Sequence, residues 1–271
     1  MATATLTYGH GTENDFLLLL DEADQIQVAP EAIKKFCDRA TGIGADGFIR
    51  MIKRNGHWFM DYRNSDGSLA EMCGNGIRVM ARYLVDHGLQ GAGLFPIDTR
   101  AGKKFLAVPE AGEISVNLGK VEDLTAESDE ISIKQNGRIW PALHIDVGNP
   151  HAVVFVDSLD EVGSLANAPE VTPTDAFPEG TNIEFVEILE GALKGNEVQM
   201  RVHERGSGET KSCGTGVCAV ALATTIHQMK RLPAQWIVHV PGGTLKVEID
   251  SHSNAVLTGP ALLVRDHEVT L

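Results

Sequence analysis

Two five-residue segments, Met72-Cys73-Gly74-Asn75-Gly76 and Ser212-Cys213-Gly214-Thr215-Gly216, stand 140 residues apart in this chain. The same offset aligns His57–Asn64 with Glu197–Glu204 without a gap, so the repeat extends well beyond the cysteine motif. Looser echoes relate Asn14–Leu18 to Asn149–Val153 and Thr41–Gly44 to Gly180–Ile183. Self-similarity at a fixed offset is the mark of a duplicated structural unit. Each half reads strand, polar turn, cysteine, helix, and the chain is expected to fold as two related lobes.

With 271 residues the chain is about two domains long, enough for a sizeable core. A formal net charge of −14 argues against a polyanion as the natural partner, and no basic stripe offsets it, so nucleic acid is not expected to bind. The longest apolar run, Phe16–Leu20, is too short for a membrane span or a signal segment, so the expected location is cytoplasmic with no membrane partner. The four cysteines Cys37, Cys73, Cys213 and Cys218 form no C-x-x-C pair, which argues against a disulfide scaffold and against a structural metal site. Cys37 falls on the apolar side of a helical pattern over Pro30–Arg39, and it and Cys218 are expected in the core.

Strand patterns dominate both halves, at 15–20, 47–52, 57–62, 105–108 and 113–118, then at 139–147, 152–156, 183–188, 197–203, 236–240 and 245–249. One helix is predicted after each repeated cysteine. In the first, Ile77, Met80, Ala81, Leu84 and Val85 share a face, Arg78, Arg82 and Asp86 occupy the others, and Gly88 supplies a stop. The second, Val217–Ile226, is apolar almost all round and therefore belongs in the middle of a curled sheet. The segment Ser158–Pro178 reads as a helix or a long surface connection, and the hinge between halves is placed near Gly119–Asp123.

A cysteine at a helix start faces unpaired backbone N–H groups and the positive end of the helix dipole, which should lower its pKa. The glycines that follow leave amides of Gly74, Asn75, Gly214 and Thr215 free to meet an anion. Were the two lobes to face one another, one thiol would lie on either side of a ligand. Stereoinversion at carbon asks for that arrangement, since one group removes a proton from one face while the other delivers a proton to the opposite face. Amide donors aimed at an α-carboxylate would stabilise the carbanion-like transition state, so no cofactor and no metal is required.

Several further segments extend the pattern: Asn14-Asp-Phe16, Arg63–Ser68, Met72–Arg78, Gly148–His151, Gly180–Ile183, His203–Thr210 and Ser212–Gly216. In that order they resemble the diaminopimelate epimerase family, across nearly the whole chain. The resemblance implies an α+β fold of two pseudo-symmetric lobes, each a barrel-like sheet wrapped around a central helix. It implies residues 1–120 carrying Cys73, with a strand of about 260–271 returning to that lobe, and residues 121–259 carrying Cys213. It also implies cofactor-independent interconversion of LL- and meso-diaminopimelate in lysine and peptidoglycan precursor synthesis, with Cys213 as proton acceptor and Cys73 as donor for the LL isomer.

By the same resemblance, His151 and Glu204 would tune or position the thiols. Asn14, Asn64, Gly74, Asn75, Asn149, Asn182, Glu204, Arg205, Gly214 and Thr215 would bind substrate, the planar fork of Arg205 suiting a distal carboxylate and Glu204 an ammonium group. A homodimer is expected only by analogy. One departure stands out: many members have a glutamine that touches substrate where this chain reads Gly42-Ile-Gly-Ala-Asp-Gly47, so no side chain at position 47 can make that contact. The competing readings are a two-cysteine racemase acting on proline or hydroxyproline, and a thiol redox switch in which the cysteines react with each other.

Overall fold

The computed structural model describes residues 3–127, 130–189 and 196–271. The chain divides into two compact units, cut between Val116 and Asn117 and again between Thr258 and Gly259. In chain order the first stretch forms β1 (Thr3–Gly11), β2 (Asn14–Leu20), α1 (Pro30–Cys37), β3 (Gly47–Arg54), β4 (His57–Asn64), α2 (Gly74–Asp86), β5 (Gly93–Thr99), β6 (Gly102–Val108) and β7 (Ile114–Lys120). The second forms β8 (Glu122–Asp123), β9 (Ser132–Gln135), β10 (Arg138–Asp146), β11 (Pro150–Phe155), β12 (Glu170–Thr172), β13 (Asn182–Ile188), β14 (Glu197–Glu204), β15 (Gly208–Thr210), α3 (Gly214–His227), β16 (Ala234–Val240), β17 (Gly243–Ile249) and β18 (Asn254–Gly259). The last strand, β19 (Leu262–Thr270), belongs to the first unit.

The units share one wiring. In the first, β19, β1, β2, β3, β4, β5, β6 and β7 are neighbours in that order; β2–β3 and β4–β5 are parallel and the other pairs antiparallel. In the second, β8, β10, β11, β13, β14, β16, β17 and β18 repeat the sequence, with β11–β13 and β14–β16 parallel. Asn-Gly turns, Asn55-Gly56 and Asn136-Gly137, close β3–β4 and β9–β10 with positive φ at both residues, the geometry a two-residue hairpin favours. The helix α2 touches β1, β2, β3, β6 and β19, and α3 touches β8, β10, β11, β13, β16 and β17. Each sheet therefore curls round one helix, the α+β two-lobe arrangement expected above.

The duplicated elements begin in step. The strands β4 and β14 start 140 residues apart, and so do α2 and α3. As predicted, α3 is buried on nearly every face, while Ile33 and Cys37 are the buried side of α1. In α2 the faces away from the apolar stripe are enclosed as well, and Arg78 and Arg82 on them are buried. A helix enclosed by a curled sheet has no wide solvent face, so the guanidiniums must find partners inside. Arg78 donates to the Gly74 carbonyl and to Asn75 Oδ1, both at 3.0 Å, and Arg82 donates to the Pro109 carbonyl and pairs with Asp86.

The stretch 158–178 is neither one helix nor a plain surface connection. It contains a 3-10 turn at Leu159–Val162 and the strand β12, and it sends Val162, Leu165 and Phe177 into a cluster with Ile133, Val154 and Phe185. Strands β1, β5 and β18, absent from the sequence reading, complete the sheets. Among the described residues no helix is long and apolar enough to cross a membrane.

Candidate active site

Parallel and antiparallel neighbours bring particular strand termini together. Gly47, the first residue of β3, pairs with Asn64, the last of β4, while Phe16 near the start of β2 pairs with Gly47. Asn14, Gly47 and Asn64 thus share one end of the first sheet. In the second unit His151 pairs with Asn182 and Ile183 with His203, so Asn149, Asn182 and Glu204 share the corresponding end.

In the first unit Cys73 is the N-cap of α2, with extended backbone (φ −134°) and Sγ accepting from the Gly76 N–H at 3.5 Å. The thiol is 3.5 Å from Asn14 Oδ1, which also accepts from Asn75 Nδ2 at 3.1 Å. Asn14 Nδ2 in turn donates to Asp46 at 2.8 Å. Arg39 clamps Asp46 and Asp15, and the Tyr8 hydroxyl donates to Asp15. Burial and the charge of Asp15 push the Asp46 carboxyl up, whereas at Asp15 the Arg39 and Tyr8 hydrogen bonds outweigh burial and hold it down. Cys73, Gly74, Asn75 and Asn14 are therefore brought together. Asn64 is engaged in its own turn, with Nδ2 donating to Ser68 Oγ at 3.0 Å.

In the second unit Cys213 is the N-cap of α3 (φ −118°), with Sγ 3.6 Å from Thr215 Oγ1. Glu204, half-buried, is bonded by the Thr210 hydroxyl and by the Cys213 thiol. His151 is wholly buried, its Nδ1 at 2.7 Å from Glu184 Oε1 and its Nε2 at 3.3 Å from Asn149 Oδ1. Asn182 accepts from the Arg205 backbone N–H at 2.9 Å, and the exposed Arg205 guanidinium donates to the Glu179 carbonyl.

The electrostatics correct one expectation. Burial, then the carboxylates of Glu204 and Glu184, push the Cys213 thiol well above its ordinary range, although Thr215 and the Gly216 amide act the other way. A helix mouth favours a thiolate only as far as water or a cation shares the work, and here two acidic side chains face the sulfur instead. Burial likewise raises Glu204.

Four contributors escaped the sequence reading. Glu184 is fully buried, and its signal was an acid inside the apolar strand Ile183–Val186. Asp46 and Arg39 support Asn14 from outside the repeat. Tyr62 explains position 47: a Cβ on Gly47 would lie 2.6 Å from Tyr62 Cε2 and 3.1 Å from its hydroxyl, so the ring fills the space a larger residue would need.

A family model described as diaminopimelate epimerase matches residues 6–124 and 143–264. A curated protein of Streptomyces coelicolor named diaminopimelate epimerase is 43% identical over 276 residues, covering 96% of this chain and 93% of the relative. The chain belongs to the diaminopimelate epimerase family. A second relative of that name, from Corynebacterium glutamicum, is 39% identical and covers 99% of each sequence. Among solved structures, a phenazine biosynthesis protein of the PhzF family from Bacillus anthracis superposes with a TM-score of 0.75 at 16% identity, over 100% of both chains. A hydroxyproline epimerase from Agrobacterium vitis gives 0.69 at 12%, over 99% of this chain and 91% of the other. At such identities these neighbours speak to the fold alone. The family relatives bear on the chemistry, because the two cysteine motifs, Asn14, His151 and Glu204 all lie inside the matched segments.

Proposed function

We propose that this chain is a diaminopimelate epimerase that inverts one α-carbon of LL-diaminopimelate by proton transfer between thiols, without pyridoxal phosphate. The observation that carries the reading is the duplication itself: two cysteines cap two buried helices at matched positions, each with a polar side chain in hydrogen-bonding reach of its thiol, Asn14 for Cys73 and Glu204 for Cys213. Inversion asks for one acid–base group per face of the carbon, and each unit supplies one.

For the LL isomer Cys213 takes the α-proton and Cys73 returns one from the other face; the roles exchange in reverse. Since Cys213 is held as the thiol by its surroundings, its proton must leave before it can act as base. Glu204, bonded to that thiol and itself raised, is the group placed to take it, and a substrate ammonium near Glu204 would offset the charge that opposes thiolate formation. His151 positions and tunes this side. The amides of Gly74, Asn75, Gly214 and Thr215 are donors for an α-carboxylate, with Asn14, Asn64, Asn149 and Asn182 as further polar contacts and Arg205 for the distal carboxylate.

The test is proton NMR of LL-diaminopimelate in D₂O with reduced protein. Loss of the α-proton signal with appearance of the meso isomer is expected for the native chain, and no meso isomer should form in Cys73→Ala or Cys213→Ala. Arg205→Ala should raise KM at least about tenfold, by loss of a bidentate ionic contact. Unchanged turnover in that variant, or turnover of proline in place of diaminopimelate, would move the reading to a substrate with a single carboxylate.

A further inference from the structure

The shared wiring allows the two helix mouths to be compared place by place. Phe48 pairs with Arg63 and Ile183 with His203, and the helix-side neighbours in the parallel strands are Phe16 beside Gly47 and His151 beside Asn182. Ile49 in the first unit therefore corresponds to Glu184 in the second, and Phe16 corresponds to His151. The helices confirm the match. A Cβ on Gly76 would meet Ile49 Cδ1 at 2.9 Å and Phe16 Cε1 at 3.2 Å, whereas a Cβ on Gly216 would meet Glu184 Oε1 at 2.6 Å. One helix start rests on apolar side chains, Met60 at 3.0 Å among them, the other on the carboxylate that holds the His151 imidazole.

We propose that Glu184 is a positioning residue of the epimerase: by accepting a hydrogen bond from His151 Nδ1 it fixes the imidazole, and through Nε2 the Asn149 amide, beside the start of the helix that carries Cys213. This rests on the function proposed above and adds to it a residue of the second unit whose place in the first is taken by the apolar Ile49. Stability does not account for the pair. Burying an ionisable carboxylate is costly, replacing a buried ion pair by apolar residues of similar volume is often neutral or stabilising, and the first unit shows that Phe and Ile fill the same places. Glu184 is fully buried, and its second oxygen, Oε2, has no hydrogen-bond partner among the described residues. A polar group held dry at such cost is retained for what it orients. With Nδ1–H donating to Glu184, Nε2 of the neutral ring is an acceptor, so the Asn149 amide, whose oxygen lies 3.3 Å away, bonds it by turning its Nδ2–H group to the ring, and ring and amide are set together.

Three variants separate this from a structural role. Glu184→Met keeps the length and removes the acceptor; it should lower kcat about 10- to 100-fold with KM within about threefold. Glu184→Gln keeps an acceptor without the charge and should recover part of that loss. The double variant His151→Phe with Glu184→Ile copies the first unit's pair; it should fold, with a melting temperature equal to or above the native one, and turn over at least about 100-fold more slowly. The ring itself is read by ¹H–¹⁵N correlation of His151, assigned with His151→Gln: a protonated Nδ1 is expected in the native protein and in Glu184→Gln, and its loss in Glu184→Met. Native kcat in Glu184→Met or in the double variant, or an unaltered His151 spectrum in Glu184→Met, would overturn the proposal. A native protein inactive on diaminopimelate would instead overturn the assigned reaction, and the His151 spectrum would still decide whether Glu184 fixes the ring.

Discussion

At the scale of single residues, the two cysteines share a motif but not an environment. Cys73 faces the amide oxygen of Asn14, while Cys213 is buried against Glu204 and Glu184. The sequence made the cysteines legible because a thiol before Gly-x-Gly at a helix start has few other uses when it occurs twice. It could not make legible the depth of burial, which reverses the effect of the helix dipole at Cys213. Removing one charge should reveal the balance. In Glu204→Gln the carboxylate that opposes thiolate formation is gone, so alkylation of Cys213 by iodoacetamide, followed peptide by peptide, should begin at lower pH than in the native protein while epimerisation falls at least about tenfold. An onset at the same or higher pH would mean that the Glu204 charge does not raise the thiol and that burial and Glu184 set it.

At the scale of elements, the helix-start glycines show how one backbone solution meets two different neighbours. Alanine at 76 would press on the flexible ends of Ile49, Met60 and Phe16, and alanine at 216 on a carboxylate held by His151. Alanine gains about 1 kcal/mol of helix propensity over glycine, which can offset the first contact but not the displacement of a hydrogen-bonded charge. Gly76→Ala should stay within about 1 kcal/mol of native stability by urea unfolding. Gly216→Ala should lose about 1–3 kcal/mol and most of the activity. Similar losses for both would show that only space matters.

The helix α1 carries a separate consequence, because burial and then the charges of Asp15 and Asp46 push the Cys37 thiol from 9.0 up to about 12. The folded state holds that proton more tightly than the unfolded one, so the stability it contributes is whole below about pH 9. That contribution is lost between pH 9 and pH 12, at up to about 1.4 kcal/mol per pH unit. Cys37→Ala should flatten the alkaline limb of a stability–pH curve without abolishing it, since Cys213 acts with the same sign. Two of the strands missed from sequence differ in kind: β1 does alternate Ala4, Leu6 and Tyr8 with threonines, but its apolar set is short and runs into Gly9 and Gly11, whereas β5 contains Pro96 and shows no clean alternation.

At the scale of the whole molecule, the duplication was legible from one offset, but the assignment of the last strand was not. Only residues 261–264 look apolar, whereas β19 runs over Leu262–Thr270 and is exposed or half-buried throughout. It belongs to the first unit by its ladder rather than by a core: eight residue pairs with β1, with Thr5 donating to Glu268 and Thr7 to Asp266, each at 2.6 Å. In the second unit the equivalent place beside β10 is taken by β8, which directly follows β7 in sequence. The strand that ends each half of the sequence thus flanks the first long strand of the other half's sheet, which makes the first unit depend on the chain's last residues although its core and thiol are encoded some 200 positions earlier. Backbone hydrogen bonds contribute about 1 kcal/mol each, so losing this ladder removes an amount comparable to the 5–15 kcal/mol that holds a domain folded. Deleting 262–271 should therefore release β1 and β2 to near free-chain amide exchange and end turnover, while β13 and β14, paired wholly within their own unit, stay protected. Protection of β1 in the truncated protein would show that α2 and β2 hold the strand without its outer neighbour.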